Sequence, residues 1–178
     1  MIQFIRRAVG RRTIAAALAG ATSLAFSQRT TASSLPQPSE RPLLTISGKI
    51  ANTNKGDTAQ FDRPMLEALG MSGFETMTPW YPGPVRFDGV RMDRLLEVIG
   101  ASGDRVLAYA LNDYATELPV SDFATYGVLL ALKRDGEYMP VRDKGPLFIV
   151  YPFDSRPELK HQRFYSRSAW QLARLDVR

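Results

Sequence analysis

The sequence predicts an α+β domain: a mixed sheet with hairpins and a few short helices. Three observations lead there. Short runs alternate apolar and polar residues, as at Leu44 and Ile46 or at Ala173, Leu175 and Val177, the period of a half-buried strand. Two turn pairs, Asn112-Asp113 and Asp135-Gly136, each separate two strand-like runs, the mark of a hairpin. Only two stretches carry both helical spacing and stop signals, so strands outnumber helices and the two kinds are mixed.

Taken in order, Leu44 and Ile46 make a first strand. Asp62 caps a short helix running through Leu69, with Pro64 in its first turn and Gly70 just past its end. Phe74–Thr78 is a strand, and Val85–Val90 contains an Asp88-Gly89 turn. Asp93 starts a helix whose apolar face is Leu95, Leu96, Val98 and Ile99, and Gly100 ends it. Arg105–Leu111 and Tyr114–Leu118 form the first hairpin, and a helical turn follows over Pro119–Thr125, entered at Ser121. Val128–Lys133 and Glu137–Val141 form the second hairpin. Leu147–Tyr151 is apolar throughout, which places it inside the sheet with both faces covered. Ser166–Trp170 reads as a turn of helix before the closing strand over Ala173–Val177.

Ahead of this domain, assigned to residues 43–178, lie two segments of different character. Residues 1–27 hold Arg6, Arg7, Arg11 and Arg12, no acid, and an uncharged stretch Thr13–Phe26. A basic start, a short apolar stretch and small residues near a break describe a secretory signal peptide, cut after Ala25-Phe26-Ser27 or, second choice, after Thr30-Thr31-Ala32. The apolar stretch is too short for a membrane span, which needs roughly 20 residues. The Arg11-Arg12 pair leaves twin-arginine export open beside the general secretory route. Residues 28–42 are rich in Ser, Thr, Pro and Gln and read as a flexible lead-in. The expected location is the periplasm or the exterior, with no membrane span after cleavage.

Removing the signal changes the charge argument. The whole chain is +5, but four of its 23 basic residues leave with the signal, so 19 bases face 18 acids and the net charge is +1. The high isoelectric point therefore does not argue for nucleic acid, which is dropped as a partner. The chain has no cysteine, which removes disulfides, thiolate metal sites and cysteine nucleophiles. His161 is the only histidine and lies in a polar stretch, Glu158–Arg163. It reads as an exposed loop residue, so neither a histidine triad nor a histidine metal site is available. No phosphate-cradling glycine loop and no nucleophile elbow occurs.

What remains is a set of aromatic, basic and turn residues at strand ends. Trp80-Tyr81-Pro82-Gly83-Pro84 is a stiff aromatic loop, and Asn112-Asp113-Tyr114 a hairpin turn. Arg142-Asp143-Lys144-Gly145-Pro146 forms a charged lip in front of the apolar strand, and Tyr165–Trp170 precedes the last strand. Gly145 allows close backbone approach to a ligand, and Lys144 and Arg167 offer donors to an anion. The candidate ligand-binding or cofactor-binding residues are Trp80, Tyr81, Asp113, Tyr114, Lys144, Gly145, Arg167 and Trp170. Each of these turns also has an ordinary structural explanation.

In order and spacing, these stretches resemble the oxidoreductase molybdopterin-binding domain, the fold of sulfite-oxidase-type enzymes, from about Leu43 to Val177. The carriers are Phe87-Asp88-Gly89-Val90-Arg91-Met92 leading into Leu95-Leu96; Asp113-Tyr114 and Leu118-Pro119 with Asp122; Leu129–Leu132 with Asp135-Gly136 and Met139-Pro140; and Gly145-Pro146 with Val150-Tyr151-Pro152, then Trp170. The resemblance implies that fold, with the Gly-Pro lip at the edge of a molybdopterin cofactor. It also implies a cysteine metal ligand on the loop ahead of Phe87. That loop reads Thr76-Met77-Thr78-Pro79-Trp80-Tyr81. Asp143-Lys144 stands where the family has a histidine, and Ala169 where it often has a base. The chain is similar to a short, exported, single-domain branch of the family. Two functions follow as expectations. The first is a cofactor-degenerate module that binds a small anionic or aromatic ligand, or a periplasmic partner protein. The alternative is a molybdopterin-dependent oxidoreductase with an oxygen ligand from Thr76, Thr78 or Tyr81, or none, in place of the thiolate.

Overall fold

The computed structural model describes residues 35–178. The expected signal peptide, and residues 28–34 of the expected lead-in, lie outside the described residues. Among them the fold is α+β, with ten strands in two sheets and four short α-helices.

The first sheet contains β1 (Leu44–Gly48), β2 (Ala59–Phe61), β5 (Arg105–Ala110), β6 (Ala115–Pro119) and β10 (Leu172–Val177), in the order β2-β1-β10-β5-β6. Its centre is the parallel pair β1 and β10, with Ile46 opposite Leu175. Leu44 and Ile46 are buried while their neighbours are only half-buried, as the alternation requires. In β10 the register slips between Leu172 and Arg174, so Leu172, rather than Ala173, joins Leu175 and Val177 in the core.

The second sheet runs β3 (Met71–Met77), β4 (Pro84–Arg91), β7 (Leu129–Arg134), with β8 (Glu137–Tyr138) and β9 (Phe148–Val150) sharing the far edge of β7. The Asp88-Gly89 turn is not formed. β4 runs straight through it, with a bulge between Asp88 and Gly89 against β7. A Cβ at Gly89 would lie 2.1 Å from the Leu130 carbonyl oxygen, so the glycine serves close strand approach and not chain reversal. The two expected hairpins do form. Asp113 (φ +63), Asp135 (φ +51) and Gly136 (φ +86) supply left-handed backbone at their tips.

β9 is buried on every residue but lies at the end of the sheet, not inside it. Its second edge is covered by the chain before β10: Ile149 N–H donates to the Ala169 carbonyl, Phe148 pairs with Trp170, and Leu172 N–H donates to the Leu147 carbonyl. Trp170 is therefore extended. The helix expected over Ser166–Trp170 instead occupies Gln162–Arg167 (α4), because His161 caps it: its Nδ1 accepts the Arg163 N–H at 3.2 Å.

The other helices are α1 (Arg63–Ala68), α2 (Met92–Val98) and α3 (Val120–Tyr126). Asp62 caps α1 by accepting the Met65 N–H at 2.9 Å. α2 begins at Met92, one residue before Asp93, which is ion-paired to Arg91 at 2.6 Å. α3 ends on Gly127 in the left-handed region. One apolar core draws on both sheets and all four helices.

The second half of the lead-in is not loose. Leu35 N–H donates to the Thr53 carbonyl, Asn54 Nδ2 to the Pro36 carbonyl, and the N–H groups of Ser39 and Glu40 to the Asp62 carboxylate. The Asn54 side chain and a buried carboxylate hold a segment whose own composition supplies little burial. No helix among the described residues is long and apolar enough to cross a membrane.

Candidate functional site

Trp80 is the hub. The loop after β3 brings its indole edge-on to Phe148 (5.4 Å between ring centroids), Trp170 (5.5 Å), Phe153 (6.0 Å) and Tyr165 (6.2 Å). Such edge-to-face pairs add about 0.5–1.5 kcal/mol each beyond their area burial. Proline at 79, 82 and 84 restricts the loop that carries the ring, and Thr78 Oγ1 accepts the Trp80 N–H. On the open side of this cluster is a cavity of about 310 Å³. Pro79, Trp80 and Trp170 line it, together with Asn112 and Tyr114 from the β5–β6 hairpin and Gln162, Tyr165, Ser166 and Ser168 from α4 and its end. Hairpin and helix are tied together: Tyr114 Oη donates to the Ser166 carbonyl at 2.7 Å.

Three of the eight residues expected from sequence therefore meet at this cavity: Trp80, Tyr114 and Trp170. Tyr81, Lys144 and Gly145 form an adjoining cluster that does not line it. The Tyr81 ring lies under Lys144 Nζ (4.5 Å) and the Arg134 guanidinium (4.7 Å), and its hydroxyl donates to Asp143. Burial pushes the Tyr81 phenol up, against the opposing pull of Arg134. Arg134 in turn pairs with Asp143 and holds its carboxyl below the usual range. Lys144 Nζ is also 5.8 Å from the Trp170 ring. At Gly145 a Cβ would lie 1.9 Å from the Met139 carbonyl oxygen, so the glycine is required by close approach to the chain itself.

Arg167 and Asp113 do not line this cavity. Arg167 Nη1 donates to Asp122 Oδ2 at 2.7 Å, and the Tyr151 hydroxyl donates to the same oxygen at 2.8 Å. The guanidinium thus neutralises a carboxylate that is only 8% exposed, and it lines a separate cavity of about 620 Å³ beside Arg105 and Ser121. Burial, with Asp122 beside it, drives the Tyr151 phenol upward so that it stays protonated and donating. Asp113 sits on the exposed hairpin tip, and its neighbour Asn112 lines the cavity instead.

Sequence reasoning missed Gln162, Tyr165, Ser166 and Ser168 as site residues. Placing the helix four residues late hid the Gln162/Ser166 spacing of one helical turn, the signal that would have put both on one face.

The residues present do not fit a metal-bearing pterin. The loop where the resemblance puts a cysteine ligand offers the neutral thioether of Met77, which is exposed, and otherwise hydroxyls already in hydrogen bonds. Thr76 Oγ1 is buried and bonded to the Asp154 N–H at 3.0 Å, Thr78 Oγ1 is taken by Trp80, and the Tyr81 hydroxyl by Asp143. None replaces a soft thiolate. Among the described residues no group of three or more His, Cys, Asp or Glu could hold a metal ion. Of the two cations expected to offer donors to an anion, Arg167 is ion-paired with Asp122.

No known protein-family model matches the chain, and no curated protein matches it.

Proposed function

We propose that this is an exported small-molecule-binding module built on a sulfite-oxidase-type fold whose metal chemistry has been lost. The observation that carries the reading is the aromatic cavity itself. Trp80, Tyr114, Tyr165 and Trp170 wall about 310 Å³, with Asn112 and Gln162 at its polar side. An apolar concavity of this size with a few convergent polar groups suits a small ligand. The basic, acid-free N-terminal segment supports export. The order of motifs from Phe87 to Trp170 supports the family fold, and the donor set around Thr76–Tyr81 supports loss of the metal.

The test uses the chain's own probes, since its two tryptophans are both in this cluster. Protein exported by its own signal and purified without chelators is assayed for metal, then screened with small metabolites by tryptophan fluorescence and thermal shift. A ligand that binds only the native state raises its melting temperature. The expected result is no stoichiometric molybdenum or tungsten, and at least one compound that moves both signals in the parent but not in Gln162→Ala. Near-stoichiometric metal, or no compound active in either assay, overturns the proposal.

A further inference from the structure

We infer that the cavity is an aromatic cage for a quaternary-ammonium zwitterion, a trimethylammonium group joined by a short linker to a carboxylate. This rests on the small-molecule reading above and narrows it.

No residue lining the cavity carries a charge of either sign. Nothing there ion-pairs with an anion, and the Arg167 guanidinium, expected for that role, is bonded to Asp122 instead. What the wall offers is π-surface from four rings. A cation is attracted to such rings when it lies within about 6 Å of their centroids, and a bulky quaternary cation loses little hydration on entering.

Trp80 stands at 70° to Trp170 and 80° to Tyr165, so each of those rings meets the indole at a corner. A rounded trimethylammonium group fills a corner and presents methyl hydrogens to each face.

The carboxylate follows from the neighbourhood. Lys144 Nζ, 5.8 Å from the Trp170 ring and outside the cavity lining, opposes a second uncompensated cation. The carboxylate that feels its charge, Asp143, is already paired with Arg134. A ligand that brings its own negative group avoids that penalty. Asn112, which lines the cavity, has a donor for it: its Oδ1 accepts the Tyr114 N–H at 3.3 Å, which leaves Nδ2 without a partner among the described residues.

The experiment is a fluorescence titration of the full exported protein with glycine betaine, choline, 3,3-dimethylbutyrate and indole. The butyrate has the shape and carboxylate of glycine betaine but a neutral head. Expected are saturable binding of glycine betaine, choline at least threefold weaker, and the butyrate at least tenfold weaker. Tyr114→Leu, at an exposed position, should weaken glycine betaine at least threefold, whereas Tyr114→Phe, which loses the same bond to Ser166 but keeps the ring, should bind it as the parent does. Equal binding of the butyrate, choline binding more tightly than glycine betaine, or indole binding while glycine betaine does not, overturns the cage and leaves the small-molecule reading standing. No response to any compound here or in the wider screen removes both.

Discussion

Substituting Asp122 by alanine tests the least expected interaction in the molecule. In the parent its Oδ2 accepts both the Tyr151 hydroxyl and Arg167 Nη1, so one carboxylate joins α3, the end of β9 and α4. Tyr151 is fully buried, and orphaning its hydroxyl costs about 1–3 kcal/mol. Breaking a fully buried ion pair costs about 3–5 kcal/mol. Here the Arg167 side chain is 20% exposed, and water relieves part of its charge, which lowers that contribution to about 2 kcal/mol. The two losses share an atom and do not simply add, so the expected destabilisation is about 3 kcal/mol. Arg167→Ala should cost less, about 1–2 kcal/mol, because Tyr151 keeps its acceptor, and Tyr151→Phe about 1 kcal/mol. Urea unfolding followed by circular dichroism gives each value, and the Asp122/Arg167 double mutant should show a coupling of about 1 kcal/mol or more. Since α4 also carries Tyr165, packed edge-on to Trp80, the Asp122 variant should shift tryptophan emission as well. A loss below about 1 kcal/mol, or additive single mutants, would refute the shared-acceptor argument.

Two further expectations follow. Burial pushes the Asp62 carboxyl up, but hydrogen bonds from Met65, Glu40 and Ser39 outweigh it and hold it below its ordinary value. Its stabilising contribution is therefore complete above the unfolded-state pKa of about 3.9 and is lost as pH falls through the lower folded value. Asp62→Ala should cost about 2 kcal/mol at pH 7 and flatten the acid limb of a stability–pH profile measured by urea unfolding; an unchanged limb contradicts it. Gly145→Ala should cost about 3 kcal/mol through collision with the Met139 carbonyl, read as a lower thermal midpoint, and a midpoint within 2 °C of the parent would show that the backbone gives way.

Local chemistry made much of this fold legible. Asp62 with Pro64 and Gly70 marked α1, and Asp135-Gly136 marked a hairpin, because caps and left-handed turn residues act within four or five positions. Where a residue answers to a distant partner, the sequence misleads. Gly89 has turn composition, yet it is required by the Leu130 carbonyl across the sheet. Leu147–Tyr151 has the composition of a central strand, yet its second edge is covered by irregular chain at Ala169–Trp170. The site divided in the same way. Trp80 and Trp170 stood out as large rings beside turns, whereas the state of Arg167 depended on Asp122, 45 positions away, which no local pattern encodes.

The covering of β9 has a consequence for the behaviour of the whole molecule. Phe-Ile-Val is a segment that, with an edge left open, would template pairing with another chain. Here residues 169–172 act as a gatekeeper, and Trp170, the residue that forms the bridge to Phe148, also forms a wall of the cavity. Holding Trp170 in place therefore protects the chain against self-association. Occupancy of the cavity should be read not only in affinity but also in how long the protein stays monodisperse at high concentration.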